Sequence, residues 1–510
     1  MQLEIARHEA REHRRRLTQG LGRPIISFEN HGFRFVAIGK ELRWSRTWRT
    51  FPDFLFDYIK YVFTVEWGNA ELKKPGSEQH PLLGWYRKVC EFQRAHLTAA
   101  NGSVSEAPMT GAVRAYLGLA YDLYLCAHNV ELPELLVKRL RNPRTFEGAL
   151  YEAYVIGNMA KAGFHIEFED ESDSTRSHCE FTATHAETGR KFSVEAKAVT
   201  SASSRAGASA APPRIRGKLF DALCKRADHE RIIFIELNRA KLSMTGGMPD
   251  WALGIDVELA QAEKDLTVDS APAPAAYVFI TNRGFCHALD SVQWTEVGFA
   301  CGFKVGDFAS RTGARSILDL AKARERHVEM HWLRKALNTH RAIPNTFDDR
   351  LGTEVFDEDN PPRLLIGSTY LIPDERGSAV LGLLTDAAVL VPERAAYGTY
   401  RLQDGRHVIC KSPLTDAELE VYRRSPDSFF GVIRQVTKDM QEPLDCFDFH
   451  WQVYARTSKK KLLEFMAGWP DAASFAHLEQ KELAQVYCAR MAEHMWAMHS
   501  RALSAKTAAA

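Results

Sequence analysis

The stretch KFSVEAKAV, residues 191–199, decides the fold. Apolar and polar side chains alternate along it, which is the pattern of a β-strand with one buried face. This alternation places Glu195 and Lys197 on the same face, about 7 Å apart along the strand. A Glu and a Lys at this spacing also form an ordinary salt bridge on many exposed strands, so the pair alone does not establish a catalytic site.

The preceding segment, HCEFTAT (residues 178–184), is predicted to form a second strand joined to the first by a turn. If the loop is the four residues 186–189, Glu180 lies opposite Glu195 with β-carbons about 5 Å apart. A three-residue loop with a glycine bulge would put Glu180 on the other face. In the first register the carboxylates repel each other, and a divalent cation between them removes that repulsion. Hard oxygen ligands favour Mg²⁺ or Mn²⁺ over Zn²⁺.

Upstream, FEGALYEAYVIGNMAKA (residues 146–162) is predicted to form a helix with Thr145 as its N-cap and Gly163 as its terminator. Glu152 lies on the apolar side of this helix. Burying an unpaired carboxylate costs on the order of several kcal/mol, so we expect a partner such as a metal or a lysine. Glu147 lies in the first turn, complements the helix dipole, and is interpreted as structural.

A small-residue loop, SASSRAGASAAPP (residues 201–213), leads from the E-x-K strand into a basic helix. Four basic residues there are candidates for nucleic-acid binding: Arg214, Arg216, Lys218 and Lys225. They either contact phosphates beside the strand or form an ordinary solvated helix face. Two apolar strands follow, RIIFIELN (231–238) and AYVFITN (276–282).

This order of elements resembles the PD-(D/E)XK, or restriction-endonuclease-like, nuclease superfamily. The helix YEAYVIGNMAKAGF, with Glu152 eleven residues before Gly163, is similar to the first core helix of type IV restriction enzymes in that superfamily. The resemblance implies an αβββαβ core. Its elements would be a helix at 146–162, strands near 164–169, 179–184 and 191–199, a helix at 214–229 and a strand at 231–237.

The resemblance also implies roles for four side chains. Glu180 and Glu195 would be metal ligands, Lys197 the catalytic lysine, and Glu152 an accessory acid of the metal site. The chain departs from the superfamily at Glu180, where Asp is more frequent and is often preceded by Pro. The implied activity is that of a Mg²⁺- or Mn²⁺-dependent nuclease that cleaves phosphodiester bonds.

By the same resemblance the substrate is nucleic acid, DNA rather than RNA, and the setting is restriction or anti-phage defence. The alternative is a catalytically inactive domain of this fold that serves as a nucleic-acid-binding or assembly module. Cleavage of both strands of a duplex often relies on two active sites, which leaves a homodimer, or a partner protein bound through the flanking domains, open.

At about 150 residues per domain, a chain of 510 residues predicts roughly three domains. We expect a multidomain α/β (α+β) protein with a mostly helical N-terminal domain (1–142), a nuclease-like domain (143–346), a linker (347–363) and a C-terminal α/β domain (364–510). One aromatic set is predicted to be helix core rather than a base-stacking surface. Its members are Trp44, Trp48, Phe51, Phe54, Phe56 and Tyr58.

The charges nearly cancel, with 66 Lys and Arg against 65 Asp and Glu, so affinity for nucleic acid must come from local basic patches. The nine cysteines include no C-x-x-C pair, which favours reduced thiols over a cysteine-built zinc site. The N-terminal sequence MQLEIARHEAREHRRR is charged where a signal peptide is apolar, and no apolar run approaches 18 residues. We therefore expect a cytoplasmic protein that does not bind membranes.

Overall fold

A computed structural model gives the architecture of most of the chain. The described residues are 1–96, 104–168, 179–199, 215–240, 244–245, 248–249, 251–308, 316–350, 355, 364–373, 378–434, 440 and 442–509. The predicted loop at 201–213, Arg214 and most of the predicted linker at 347–363 lie outside them.

Helices and strands are both abundant, which confirms the expectation of a mixed α/β, multidomain protein. The helices are α1 (Gln2–Gln19), α2 (Phe51–Phe63), α3 (Val65–Leu72), α4 (Pro81–His96), α5 (Gly111–Asn129), α6 (Glu134–Arg141), α7 (Phe146–Lys161), α8 (Arg216–Leu223), α9 (Trp251–Asp265), α10 (Ile317–Arg326), α11 (Val328–Thr339), α12 (Asp416–Arg424), α13 (Pro443–Tyr454), α14 (Lys459–Met466) and α15 (Gln480–Ala509). The strands are β1 (Ser27–Asn30), β2 (Phe33–Ile38), β3 (Glu41–Ser45), β4 (Phe164–Phe168), β5 (Phe181–His185), β6 (Lys191–Ala198), β7 (Glu230–Glu236), β8 (Met244–Thr245), β9 (Met248–Pro249), β10 (Thr267–Val268), β11 (Ala271–Pro272), β12 (Ala276–Arg283), β13 (Glu296–Phe303), β14 (Thr369–Pro373), β15 (Ala379–Leu390), β16 (Ala395–Leu402) and β17 (His407–Pro413).

The chain divides into two compact units. Unit 1 comprises Met1–Phe303 and Trp332–Val436, and unit 2 comprises Lys304–His331 and Thr437–Ala510. The predicted domain boundary between residues 142 and 143 falls inside unit 1, where α5 packs against α7. The N-terminal helices and the central sheet therefore belong to one compact body.

A six-stranded sheet in unit 1 carries the candidate site. Its strand order is β13-β12-β7-β6-β5-β4. Strands β4, β5 and β6 are antiparallel neighbours, β7 runs parallel to both β6 and β12, and β13 is antiparallel to β12. Along the chain the elements follow the order helix α7, strands β4 to β6, helix α8 and strand β7. Helix α8 is shorter than the helix expected at 214–229.

Helix α7 begins and ends close to the predicted positions. It runs from Phe146 to Lys161, and Gly163 follows with a φ of 87°, a conformation that suits glycine. Thr145 occupies the N-cap position, as predicted, but its side chain makes no capping hydrogen bond. Its hydroxyl instead donates to the carbonyl of Arg139, at 2.8 Å, in the preceding helix.

The two faces of the six-stranded sheet pack against different helices. One face forms a buried apolar cluster with α8 and α9. This cluster includes Leu219, Ala222, Ile233, Ile235, Ile255, Leu259, Val278 and Ile280. The opposite face, which carries Thr281 of β12 and its partner Glu236 of β7, packs against α7. There the hydroxyl oxygens of Tyr151 and Thr281 lie 2.9 Å apart.

An unexpected three-stranded antiparallel sheet, β1-β2-β3, interrupts the N-terminal helical region. Strands β1 and β2 are joined by the two-residue turn His31-Gly32, with φ values of 48° and 74°. Two successive positive φ values are the mark of a type I′ hairpin turn, which matches the twist of the flanking strands. Gly39-Lys40 joins β2 to β3 in the same two-residue fashion.

The aromatic residues of this region lie in two different environments, buried in a helix or exposed on a strand. Phe51, Phe54 and Tyr58 are buried in α2, as expected for helix core. Trp44 lies on β3 with 59% of its surface exposed, so the expectation of helix core was wrong for this residue.

The C-terminal part contributes to both units. Strands β14 to β17 form a four-stranded antiparallel sheet in unit 1, in the region where the sequence predicts a small sheet. In unit 2, helices α10, α13, α14 and α15 bury a common apolar cluster. Across the described residues, no helix combines the length and the apolar character needed to cross a bilayer.

Candidate active site

Strand β6 presents Glu195 and Lys197 on one face, as the alternation predicts. Their Cα partners on the adjacent parallel strand are Ile233 and Ile235, respectively. Directly paired residues point to the same face of a sheet. The side chains of Glu195 and Lys197 therefore lie on the face that packs against α8 and α9, and Ala196 points to the other face.

The β5–β6 hairpin has the predicted four-residue loop, and Glu180 lies at the open end of the hairpin. The N–H of His185 donates to the carbonyl of Arg190 at 2.9 Å, which closes a four-residue loop. Glu180 lies one residue before β5, and its N–H donates to the carbonyl of Val194 at 3.0 Å. The paired residues of β5 and β6 end at Phe181 and Val194, and the charge of the adjacent Glu180 acts on Glu195. The predicted four-residue loop is confirmed, and the three-residue loop with a glycine bulge is not observed. The direct pairing of Glu180 with Glu195 stays a prediction.

Glu195 is a buried carboxylate with incomplete neutralisation. Its side chain is only 1% exposed, and its Oε1 is ion-paired with Nζ of Lys197. Its other oxygen, Oε2, is buried and has no hydrogen-bond partner among the described residues. Burial is the main cause that raises the pKa of Glu195 from 4.5 to about 7; the charge of Glu180 adds to this, while Lys197 and Lys225 oppose it. Two carboxylates and two ammonium groups thus act on one another at this point of the sheet.

The basic residues predicted to bind nucleic acid fall into different environments. Lys225, just beyond α8, carries a positive charge that acts on Glu195. Arg216 is ion-paired with Asp265 of α9 at 2.6 Å, so its charge is already compensated. Lys218 is half-buried on α8, and Arg214 lies outside the described residues.

Glu152 does not lie beside Glu180 and Glu195. It is buried, as its position on the apolar side of α7 predicts, but its ion-pair partner is Arg139 of α6. Helix α7 packs on the sheet face opposite to the one that carries Glu195. The structure therefore does not bring Glu152 together with Glu180 and Glu195, and the partner expected to be a metal or a lysine is an arginine.

The remaining donor set fits a small hard cation. Mg²⁺ prefers oxygen ligands, usually binds through one or two protein carboxylates, and completes its shell with water and substrate phosphate. Glu180 and Glu195 supply two carboxylates, and the unpartnered Oε2 of Glu195 is a buried acceptor of the right type. Among the described residues, no group of three or more His, Cys, Asp or Glu side chains is gathered as a metal site. A cation here would thus rely on two protein carboxylates.

A second buried polar cluster was not predicted. Asp122 of α5 contacts His340 with an Oδ1–Nε2 distance of 2.6 Å, and Nζ of Lys161 donates to the carbonyl of Thr339 at 3.0 Å. Burial raises the pKa of Asp122 to about 8 and lowers that of Lys161 to about 7. These contacts join α5, α7 and the end of α11 across 218 positions of sequence. The only signal in the sequence is a lone acid, Asp122, inside an otherwise apolar helix.

No protein-family model, no curated protein and no solved structure matches this chain.

Proposed function

We propose that this protein is a metal-dependent nuclease whose active site is formed by Glu180, Glu195 and Lys197. The observation that carries the proposal is the acid pair at the β5–β6 hairpin, with a lysine beside it and a buried carboxylate oxygen that has no partner among the described residues. Two adjacent carboxylates are unfavourable unless a cation compensates them. Lys197 is ion-paired with only one oxygen of Glu195. A divalent ion could therefore bind the other oxygen and compensate the repulsion between the two carboxylates.

The chemistry of such a site is phosphodiester hydrolysis. A divalent cation held by Glu180 and Glu195 would supply Lewis acidity toward a phosphoryl oxygen and favour ionisation of water. The ammonium group of Lys197 would stabilise negative charge that develops on the phosphate in the transition state. Lys225 adds a second positive charge at the same site, which favours an anionic substrate. DNA is the proposed substrate and restriction or phage defence the proposed setting; both follow from the superfamily resemblance.

One observation favours a second candidate function, a nucleic-acid-binding module without catalytic activity. Glu195 and Lys197 already form an ion pair with each other, and Glu152 is neutralised by Arg139. A domain that has lost its metal would keep such pairs as structural contacts.

A cleavage assay separates the two candidates. Supercoiled plasmid, linear duplex, single-stranded DNA and RNA are incubated with the full chain in Mg²⁺, in Mn²⁺ and in EDTA. The variants are Glu195→Gln, Lys197→Met and, as a matched control, Glu187→Gln in the exposed hairpin loop. We expect metal-dependent cleavage by the wild type and the control, and a loss of about 100-fold or more in the two site variants.

Two results would contradict the nuclease proposal. One is equal cleavage by all four proteins, which would indicate a contaminant or a different site. The other is the absence of cleavage with either metal by a wild type that still binds nucleic acid, which would support the non-catalytic module.

A further inference from the structure

A row of three aromatic side chains crosses the N-terminal sheet. Phe28 of β1 pairs with Phe35 of β2, which in turn pairs with Trp44 of β3. The rings of Phe28 and Phe35 are stacked, with centroids 4.7 Å apart and planes inclined by 4°. The centroids of Phe35 and Trp44 are 6.1 Å apart with planes inclined by 33°. We call Phe28, Phe35 and Trp44 the aromatic row.

The aromatic row lies on the outer face of its sheet. The alternate residues of β2, Val36 and Ile38, are buried in the core of unit 1. Phe28 and Trp44, by contrast, are 50% and 59% exposed. They stand on the two edge strands β1 and β3, so a further planar ring can stack at either end of the row. Together with the half-buried Phe35 between them they form one contiguous apolar patch, and such patches often mark interaction sites.

The charge around the aromatic row favours a polyanion. Residues 26–49 contain five Lys and Arg but only two Glu, in a chain whose total charge is nearly zero. Both acids are ion-paired within the sheet: Glu29 with Arg34 at 2.7 Å and Glu41 with Arg43 at 3.0 Å. The sheet therefore has a local excess of positive charge, and its acids are already compensated.

One cation lies on the aromatic face itself. The guanidinium of Arg46 sits over the ring of Phe33, 4.3 Å from its centroid. Phe33 in turn lies 6.4 Å from Phe35, so Arg46 stands beside the row. The residues of this face, taken from the register, include no acid: Ile26, Phe28, Asn30, Phe33, Phe35, Ala37, Leu42, Trp44 and Arg46.

We propose that the outer face of the β1–β3 sheet binds single-stranded nucleic acid. Unpaired bases stack on the aromatic row at Phe28 and Trp44, and Arg46 contacts the phosphate backbone. Every base has a π face, so such stacking tolerates any sequence, and the nearby positive charge attracts the backbone. A second copy of this chain would bring the same positive charge to the interface, which disfavours self-association. The proposal goes beyond the nuclease proposal, because binding at this face requires neither Glu195 nor a metal.

The test is equilibrium binding of fluorescently labelled oligonucleotides to the full chain in EDTA, where metal-dependent cleavage is stopped. Single-stranded DNA, single-stranded RNA and duplex DNA are compared. We expect both single strands to bind more tightly than the duplex, whose bases are already stacked. Trp44→Ala should weaken single-strand binding about 10-fold, the scale of one base–aromatic stack. Trp44→Phe should retain most of the affinity.

Two further variants sharpen the test. Phe449→Ala, at an exposed phenylalanine of α13 in unit 2, is the matched control and should bind as the wild type does. Arg46→Ala should make the plot of log binding constant against log salt concentration less steep, by about the amount that one phosphate contact contributes. Circular-dichroism melting of each variant confirms that it folds, which we expect because the substituted side chains are largely exposed.

The proposal is overturned if Trp44→Ala and Phe28→Ala bind single strands as tightly as the wild type. It also fails if the wild type is a dimer by analytical ultracentrifugation, Trp44→Ala makes it monomeric, and single-strand binding does not change; the face would then be a self-association surface. Single-strand binding without any plasmid cleavage would leave this proposal intact and remove only the nuclease activity.

Discussion

Replacing Glu195 with glutamine should make the protein more stable at alkaline pH when metal is absent. The carboxylate is 1% exposed, and burial raises its pKa from 4.5 to about 7. A folded-state pKa above the unfolded value means that the folded protein holds a proton that the unfolded chain has released. The stabilising contribution of Glu195 is therefore complete below about pH 4.5 and is lost as the pH rises through 7.

The magnitude follows from the same values. One pKa unit corresponds to about 1.4 kcal/mol, so a rise from 4.5 to about 7 corresponds to about 3 kcal/mol. A glutamine at this position would keep the shape of the side chain and carry no charge at any pH. The unfolding free energy of Glu195→Gln, minus that of the wild type, should increase by about 3 kcal/mol between pH 4.5 and pH 8.

The assay is urea unfolding in EDTA at several pH values. The unfolding free energy is taken from the transition of unit 1, which contains Glu195. Glu187→Gln, in the exposed loop, is the control and should follow the pH dependence of the wild type. Added Mg²⁺ should stabilise the wild type at pH 8 and have little effect on Glu195→Gln, because ligand binding to the folded state raises its stability. A difference between Glu195→Gln and the wild type that is independent of pH would refute the electrostatic account of the site.

Substitutions at three other residues test contacts of unit 1 that lie away from the site. Glu152→Gln should cleave nucleic acid at a rate within a few-fold of the wild-type rate, because α7 lies on the opposite face of the sheet. A loss of cleavage rate as large as that of Glu195→Gln would indicate that Glu152 belongs to the active site. Arg139→Ala should lower the unfolding free energy by about 3 kcal/mol in urea, since it removes an ion pair from the buried Glu152 carboxylate, and Arg139→Lys should lose less. Asp122→Ala should lower it by about 3 kcal/mol, since it leaves Nε2 of the buried His340 unpaired; Asp122→Asn should lose less, and equal losses would contradict the hydrogen-bond explanation.

Local patterns predicted the part of the fold that carries the acid pair. Alternation of apolar and polar residues is sufficient to place Glu195 and Lys197 on one face of a strand. The four-residue loop ending at Gly189, which has a φ of 70°, sets the register of β5 and β6, and the charge of Glu180 acts on Glu195. Both features depend on residues that are close together in the sequence, and this is the range over which sequence patterns are informative.

Features that depend on distant contacts were not predictable. The partner of Glu152 is Arg139, which comes from another helix, and the contact between Asp122 and His340 joins residues 218 positions apart. The β1–β3 sheet was missed for a different reason. FRFVAI is a short, largely apolar run that suits a strand and His31-Gly32 is a suitable hairpin turn, but the neighbouring aromatic residues were attributed to helix core.

The most direct test of the central claim is the location of bound manganese. Crystals of the full chain soaked in Mn²⁺ are examined by anomalous X-ray scattering, for the wild type and for Glu195→Gln. We predict a wild-type peak at bonding distance from carboxylate oxygens of both Glu180 and Glu195, next to Lys197, and its loss in Glu195→Gln. A peak that is not within bonding distance of these two carboxylates, or a peak that persists in Glu195→Gln, would contradict the assignment of this hairpin as a metal-dependent active site.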